Sequence, residues 1–366
     1  MSFNLPSFVP NQISATLRSL TDRGFKSPLN VALATAIPLI ALYSTMPSGV
    51  AHKPKAYPSL GNIVLAEDSR VGKLKEHVNE VYPPDIYGPG YTVELTKGET
   101  RYWLIGPEEG KRVVLIHGLS IPSLIWKEVA TRLGRAGFRV LLFDLYGRGY
   151  SEAPDARTTP YDVDLYITQL ALLMQYIGWR RARIVGLSMG GAIAAAFAAK
   201  FPWLVDSNVG LIASVGVMEG AIGGLFAFIF GSAAFQRFRH SALGQTLFTP
   251  APPPAIPPNL SKSEQLLLKE HTLFGLQSAI LPGYTAAVAA SVFVGPLRGL
   301  ENEFKKLGKL KGVKGTKDAI VSYKYAAKIK ELIPHAELVT IDGAGHDLCA
   351  THYEVVSDNL IGFLRA

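Results

Sequence analysis

Short apolar runs alternate with helix-patterned segments along the middle of the chain. The runs cover 112–116, 138–143, 183–187 and 209–217, and helical spacing of apolar residues covers 124–136, 163–179 and 190–200. Nearly continuous apolar runs of this length are typical of strands buried on both faces of a parallel sheet. Repeated strand–helix–strand units therefore predict an α/β fold whose mostly parallel sheet is doubly wound, with helices on both faces.

The alternation stops near residue 218, where an apolar stretch (221–235), a proline-rich segment (249–259) and further helical patterns follow. Such an insertion predicts a helical cap or lid above the sheet. The stretch from 220 to 235 could also span a membrane, but it is short for that role, and we favour a lid helix. We expect core residues at 91–217 and 301–366, with the cap at 218–300 between them.

The N-terminal region contains eighteen uncharged residues, 29–46. As a helix this segment would be about 27 Å long, close to the roughly 30 Å of a bilayer core. We therefore predict a tail at 1–50 with a single membrane-spanning helix at 29–46, followed by a linker at 51–90. A cleaved signal and an arm packed on the domain are the alternatives. The sequence leaves open which membrane is involved.

The net charge and the cysteine content limit the classes of molecule and metal that the protein could bind. The formal net charge is +8, and nine lysines lie between residues 305 and 330. A basic excess favours anionic partners such as membrane surfaces, whereas the absence of zinc-finger spacing and of aromatic-rich basic motifs argues against nucleic acid. Cys349 is the only cysteine, which excludes an intramolecular disulfide and a thiolate metal cluster. We expect no metal and no cofactor, and the oligomeric state stays open.

The segment Gly186-Leu-Ser-Met-Gly190 connects a predicted strand to a helix rich in glycine and alanine. A serine at such a sharp turn is held exposed at the end of the sheet, beside the positive end of the helix. Side chains at the flanking positions would clash with the neighbouring backbone, and glycine removes that clash. Ser188 is therefore the candidate nucleophile.

A serine hydroxyl needs a base to accept its proton. His346 lies in a glycine loop, Asp342-Gly-Ala-Gly-His346, after the apolar run 337–341. The loop glycines allow the ring to reach back over the sheet, whereas His240, His271 and His335 lie in lid or helix contexts. We therefore predict that His346 is the general base.

Three motifs carry a resemblance to the α/β-hydrolase superfamily: His117-Gly-Leu119, Asp144 to Ser151, and Gly186 to Gly190. Their order and spacing also match, and the resemblance extends from about Tyr91 to the C-terminus. It implies an α/β-hydrolase sheet with a cap. It also implies an oxyanion hole formed by the backbone N–H groups of Leu119 and Met189, and a structural role for the loop that begins at Asp144.

The resemblance also implies that the acid of the catalytic triad lies between the serine and the histidine in the chain. Gly315-Thr-Lys-Asp318 resembles the family's motif for this residue, so the resemblance implies Asp318. The preceding segment, 309–314, contains only two apolar residues. It either forms a poor strand or reflects a gene-model difference. Glu219, just after the run 209–217, is the alternative acid.

These residues predict a serine hydrolase that cleaves a carboxylic ester or related acyl bond through an acyl-enzyme, without a cofactor. The apolar lid and the predicted anchor favour a lipophilic substrate. Two alternatives stay open: acyl transfer or carbon–carbon bond hydrolysis by the same triad, and a catalytically inactive, membrane-anchored binding protein with this fold.

Overall fold

The computed structural model describes residues 56–65, 72–219, 235, 257, 259–307, 310–315 and 318–366. The predicted membrane segment at 29–46 and nearly all of the apolar stretch 221–235 lie outside these residues. In the ranges described, no single helix is both long enough and apolar enough to cross a membrane.

The strands, in chain order, are β1 (Ala56–Tyr57), β2 (Gly90–Leu95), β3 (Gly98–Ile105), β4 (Lys111–Ile116), β5 (Phe138–Phe143), β6 (Ala153–Pro154), β7 (Ala182–Leu187), β8 (Val205–Ile212), β9 (Leu310–Gly315) and β10 (Glu337–Ile341). The helices are α1 (Leu60–Leu65), α2 (Gly72–Val81), α3 (Lys127–Arg135), α4 (Val163–Tyr176), α5 (Met189–Lys200), α6 (Lys262–Ile280), α7 (Tyr284–Val294), α8 (Glu301–Lys305), α9 (Lys324–Leu332), α10 (Leu348–Thr351) and α11 (Tyr353–Arg365).

Eight of the strands form one sheet in the order β10-β9-β8-β7-β4-β5-β3-β2. The strands from β10 to β5 pair in parallel, whereas β3 pairs antiparallel with both β5 and β2. The predicted α/β class with a mostly parallel sheet is confirmed.

Both faces of this sheet are covered, as β4 illustrates. Val113 and Leu115 point into one apolar cluster and Val114 and Ile116 into the other, and all four are fully buried. Successive side chains of a strand face opposite sides, so a strand with helices on both sides must be apolar at every position. One cluster contains residues of α4, α5, α8 and α9, and the other contains residues of α1, α2, α3, α6, α10 and α11.

The region predicted as a linker, 51–90, contains two helices that pack on the core. Within it, α1 and α2 pack against the core through Leu60, Val78 and Val81, which are buried. The hydroxyl of Tyr82 donates to Asp144 Oδ1 at 2.8 Å. The prolines and glycines of 51–90 interrupt the helical pattern without preventing these apolar residues from packing.

The described part of the predicted cap consists of α6 and α7. A capping box between Ser261 and Glu264 begins α6. The two helices are bent by 106° at the break that separates them, and only when counted together do they reach the length and hydropathy of a membrane span. α6 contacts α2, α10 and the short turn 123–126 that precedes α3. This helix therefore lies on the core.

The segment before Asp318, which has few apolar residues, forms the strand β9. β9 pairs in parallel with β8 on one side and with β10 on the other, for example Leu211 with Gly312 and Val339 with Val313. Hydrogen bonding to two neighbours satisfies the backbone of β9 even though few of its residues are apolar.

Candidate active site

Ser188 lies at a strained turn between β7 and α5. Its backbone has φ 55° and ψ −117°, a conformation that few residues other than glycine adopt. The Ser188 N–H donates to Ile212 O of the neighbouring strand at 2.8 Å, and its carbonyl accepts from Val215 N at 3.2 Å. These bonds hold the serine in a conformation that it would not keep in isolation.

The glycines around Ser188 are required by close backbone approaches. A Cβ at Gly186 would lie 2.0 Å from Gly190 O, and a Cβ at Gly190 would lie 2.2 Å from Ile116 O. Both contacts involve backbone atoms that cannot rotate away. The turn therefore has the geometry that the glycine spacing predicted.

The turn after β4 lies beside this serine. A Cβ at Gly118 would be 3.4 Å from Ser188 Cβ and 3.9 Å from its Oγ. Leu119 is the next residue along this turn, and Met189 is the first residue of α5. The first N–H groups of a helix have no acceptor within the helix, and they carry the positive end of its dipole.

His117 has a structural position. Its Nδ1–H donates to Gly118 O at 2.8 Å, and its Nε2 accepts from Leu145 N–H at 2.9 Å. Burial lowers the pKa of His117 to about 3, with a smaller lowering by the Arg148 charge, so the ring is neutral at ordinary pH. With both nitrogens engaged, His117 cannot act as a base.

His346 and Asp318 lie in contact. The His346 Nδ1 is 2.9 Å from Asp318 Oδ2, and because a carboxylate only accepts, this nitrogen carries the proton. The other oxygen, Asp318 Oδ1, accepts from the N–H groups of Ile320 at 2.9 Å and Val321 at 2.8 Å. The Asp318 side chain is fully buried, whereas that of His346 is 21% exposed. The bond to Asp318 thereby orients the ring, and Nε2 is the nitrogen that faces away from this carboxylate.

The sheet topology brings these residues to one edge. Ser188 follows β7, Asp318 follows β9 and His346 follows β10, and these strands are parallel. Carboxyl ends of parallel strands meet at the same edge of a sheet, which is where open α/β sheets bind ligands.

Glu219, the alternative acid, has a different partner. Its carboxylate binds Lys328 Nζ at 3.0 Å, and its side chain is 65% exposed. The hydrogen bond from Lys328 lowers the pKa of Glu219. The structure therefore brings Asp318, and not Glu219, to His346.

Asp144 is a buried structural centre, in the role that the resemblance implied for its loop. Its carboxylate accepts from the N–H groups of Ser123 and Tyr150 and from the Tyr82 hydroxyl. Burial raises the pKa of this carboxyl. These bonds connect the loop after β5 to the segment before β2 and to the turn after β4.

Three cap residues that the sequence did not single out bind the loops around Ser188. Gln277 Nε2 and the Tyr284 hydroxyl both donate to Ser120 O, at 3.1 and 3.0 Å. Ser291 Oγ accepts from Arg148 Nη2 at 2.8 Å. The only local signal for these residues is a polar group on an otherwise apolar helix face, which is too common to identify a site.

Within the ranges described, no three His, Cys, Asp or Glu side chains converge in a way that could hold a metal ion.

Comparison with known proteins agrees with this architecture. Residues 113–358 match the model of the alpha/beta hydrolase family. An uncharacterized protein of Mycobacterium bovis is 33% identical over 135 residues, 37% of this chain and 38% of that protein. The match to this relative thus spans well under half of its length. The lipase 3 of Moraxella sp. (strain TA144) is 28% identical over 250 residues, 65% of this chain and 72% of that protein.

A hydrolase from Pseudomonas aeruginosa PA01 superposes with a TM-score of 0.60 at 20% identity, covering 76% of this chain and 99% of that one. At this identity the likeness concerns the fold alone. The family match, in contrast, covers more than half of the chain. The chain therefore belongs to the alpha/beta hydrolase family.

Proposed function

We propose that the protein hydrolyses carboxylic esters through an acyl-enzyme on Ser188. The observation that carries the proposal is the His346–Asp318 hydrogen bond, at the same sheet edge as a serine held at φ 55°. This set contains a nucleophile at a strained turn, a histidine with one nitrogen free and a buried carboxylate that orients it.

In the proposed reaction, Ser188 Oγ attacks the ester carbonyl while His346 Nε2 accepts its proton. The carbonyl oxygen becomes an oxyanion that accepts hydrogen bonds from the N–H groups of Leu119 and Met189. Asp318 holds the ring orientation and stabilises the imidazolium. The intermediate collapses, His346 protonates the departing alkoxide, and the alcohol leaves an ester on Ser188.

A water molecule then gives a proton to His346 and attacks the acyl-enzyme. Collapse of the second oxyanion breaks the bond to Ser188 Oγ, which takes the proton back from His346. The products are one carboxylic acid and one alcohol, and the enzyme is unchanged. Each oxyanion-hole donor would contribute about 2.7–4 kcal/mol, by analogy with removal of one such donor elsewhere.

We further propose a lipophilic acyl ester as substrate. The apolar cap helix α7 and the similarity to a lipase support this class. A membrane anchor at 29–46, which stays a prediction from the sequence, would bring the site close to such substrates.

Fluorophosphonate labelling tests the proposal, because the probe reacts only with an activated serine. We expect labelling of the wild type and none of Ser188→Ala. Ser214→Ala is the matched control, since Ser214 and Ser188 are both 7% exposed and Ser214 Oγ donates to a backbone carbonyl. An unlabelled wild type would support the alternative of an inactive binding protein.

A series of acyl esters then tests the substrate class. We expect activity to increase with acyl chain length, and best activity on short, water-soluble esters would contradict a lipophilic substrate. Product analysis in the presence of an added alcohol separates hydrolysis from acyl transfer, because transfer yields a new ester in place of the acid.

A further inference from the structure

Arg148 is a buried cation that the proposed reaction does not use. Its side chain is fully buried, although a charge is costly to remove from water. Nε donates to Leu119 O at 2.8 Å, Nη1 to Tyr146 O and the Tyr166 hydroxyl, and Nη2 to Ser291 Oγ. No carboxylate among the described residues forms an ion pair with it. The guanidinium is thus surrounded by neutral acceptors.

The first of these bonds acts on the turn that contains Leu119. The peptide between Gly118 and Leu119 is planar, so its C=O and N–H point in opposite directions. His117 Nδ1 holds that C=O at 2.8 Å, which directs the Leu119 N–H away from the His117 ring. Arg148 Nε holds the next carbonyl, that of Leu119. The two side chains together restrain the turn on both sides of the proposed oxyanion donor.

The last of the bonds connects Arg148 to the cap. Ser291 lies on α7 and is fully buried, and its Oγ is also 2.7 Å from the Tyr166 hydroxyl. The cap reaches the same turn by a second route, because Gln277 and Tyr284 donate to Ser120 O. Movement of α7 away from the core would therefore break the bond from Tyr284 to Ser120 O and the bond between Ser291 and Arg148 at once.

We propose that Arg148 is a positioning residue that couples the docking of α7 to the geometry of the oxyanion-forming turn. Its charge, which pairs with no carboxylate among the residues that the structure describes, also favours the negative oxygen that develops in the proposed reaction. The inference rests on the proposed ester hydrolysis and adds a dependence of catalysis on cap position. In this enzyme a docked cap would be a condition for a competent oxyanion hole.

Three variants separate these contributions. Arg148→Met removes the charge and the donors at similar side-chain length, and Arg148→Lys keeps the charge without the planar fork. Ser291→Ala removes the bonds of the Ser291 hydroxyl to Arg148 and Tyr166 and leaves the bond from Tyr284 to Ser120 O in place. Arg183→Met is the control, because Arg183 is also nearly buried but binds Asp206 instead of the loops around Ser188. Active sites are counted by fluorophosphonate titration, so that loss of folded protein does not lower the apparent rate.

For Arg148→Met we expect kcat to fall by about 10- to 100-fold, with KM changed by less than about threefold. A small displacement of a hydrogen-bond donor that stabilises the transition state lowers rates by factors of this size. Affinity for a trifluoromethyl ketone, which forms an oxyanion on the serine, should fall in parallel with kcat/KM. Arg148→Lys should lie between Arg148→Met and the wild type. Ser291→Ala should show a smaller loss, together with faster amide hydrogen exchange in 117–121 and in α7. Arg183→Met should retain the wild-type kcat.

The inference is overturned if folded Arg148→Met or, should that variant not fold, Arg148→Lys keeps the wild-type kcat and ketone affinity. The coupling to the cap is overturned if exchange in 117–121 is unchanged in Ser291→Ala. A wild type that is not labelled by fluorophosphonate refutes the proposed function and the oxyanion part with it. Hydrogen exchange still decides the coupling in that case, because it needs no turnover.

Discussion

Replacement of Asp318 by asparagine changes the proton position on His346 with little change in volume. Asparagine can keep one oxygen on the N–H groups of Ile320 and Val321, which Oδ1 accepts at 2.9 and 2.8 Å. Its NH₂ group would then occupy the position of Oδ2, 2.9 Å from His346 Nδ1. Two donors cannot share a hydrogen bond, so the ring must move its proton to Nε2.

A ring protonated on Nε2 cannot accept the proton of Ser188. A tautomer change of this kind lowers kcat by about 10⁴-fold in serine proteases, and that factor equals about 5.5 kcal/mol of lost transition-state stabilisation. We expect a loss of this size for Asp318→Asn. Initial rates on a p-nitrophenyl acyl ester measure it, with circular dichroism to verify the fold.

Glu219→Gln is the matched control, because Glu219 was the alternative acid and its carboxylate binds Lys328. We expect this variant to keep wild-type activity within about twofold, since an exposed ion pair contributes little. If Glu219→Gln were to lose activity while Asp318→Asn kept a tenth or more of it, the assignment of the acid would be refuted.

Two further predictions concern stability. Gly186→Ala places a Cβ 2.0 Å from Gly190 O and should lower the free energy of unfolding by about 1–3 kcal/mol or more in urea. Gly275→Ala meets no atom within 4 Å in α6 and should instead raise it by about 0.5–1 kcal/mol, so equal effects would contradict the reasoning. Burial, with a smaller effect of Asp347, raises the pKa of Glu270 well above its ordinary value. The folded protein therefore keeps a proton that the unfolded chain loses above its own carboxyl pKa, and wild-type stability falls as pH rises through that window. Glu270→Gln removes this loss of stability. In thermal unfolding, the stability of the variant relative to the wild type should therefore increase by up to about 1.4 kcal/mol per pH unit above about pH 4.3. A difference between the two proteins that does not depend on pH would show that the carboxyl is charged in the folded protein.

Much of the fold was predictable because its determinants are local. A strand segment covered on both faces must be free of charged residues, as 113–116 in β4 and 184–187 in β7 are. The strained turn at Ser188 needs glycine at 186 and 190, because backbone atoms lie 2.0 and 2.2 Å from where a Cβ would be. Ser188 and His346 each come shortly after an apolar run, 183–187 and 337–341, which indicated that both lie at the carboxyl ends of strands. Physical constraints of this type act on neighbouring residues and therefore appear in the sequence itself.

The sequence left other features undetermined because they join residues far apart in the chain. Asp318 and Glu219 were both possible acids, and the choice depends on which of them the topology brings to His346 and which it brings to Lys328. The segment 51–90 was predicted as a linker, yet Tyr82 binds Asp144, sixty-two residues away.

The partners in the cap contacts are even farther apart along the chain, since Ser291 binds Arg148 across 143 residues. A hydrogen bond requires two groups within about 3 Å at a suitable angle, and no spacing along the chain encodes that separation when the partners lie on different elements. Tertiary packing alone therefore decided which polar side chains surround the turn at 117–120, whereas the sequence by itself determined the fold class and the sharp turn at Ser188.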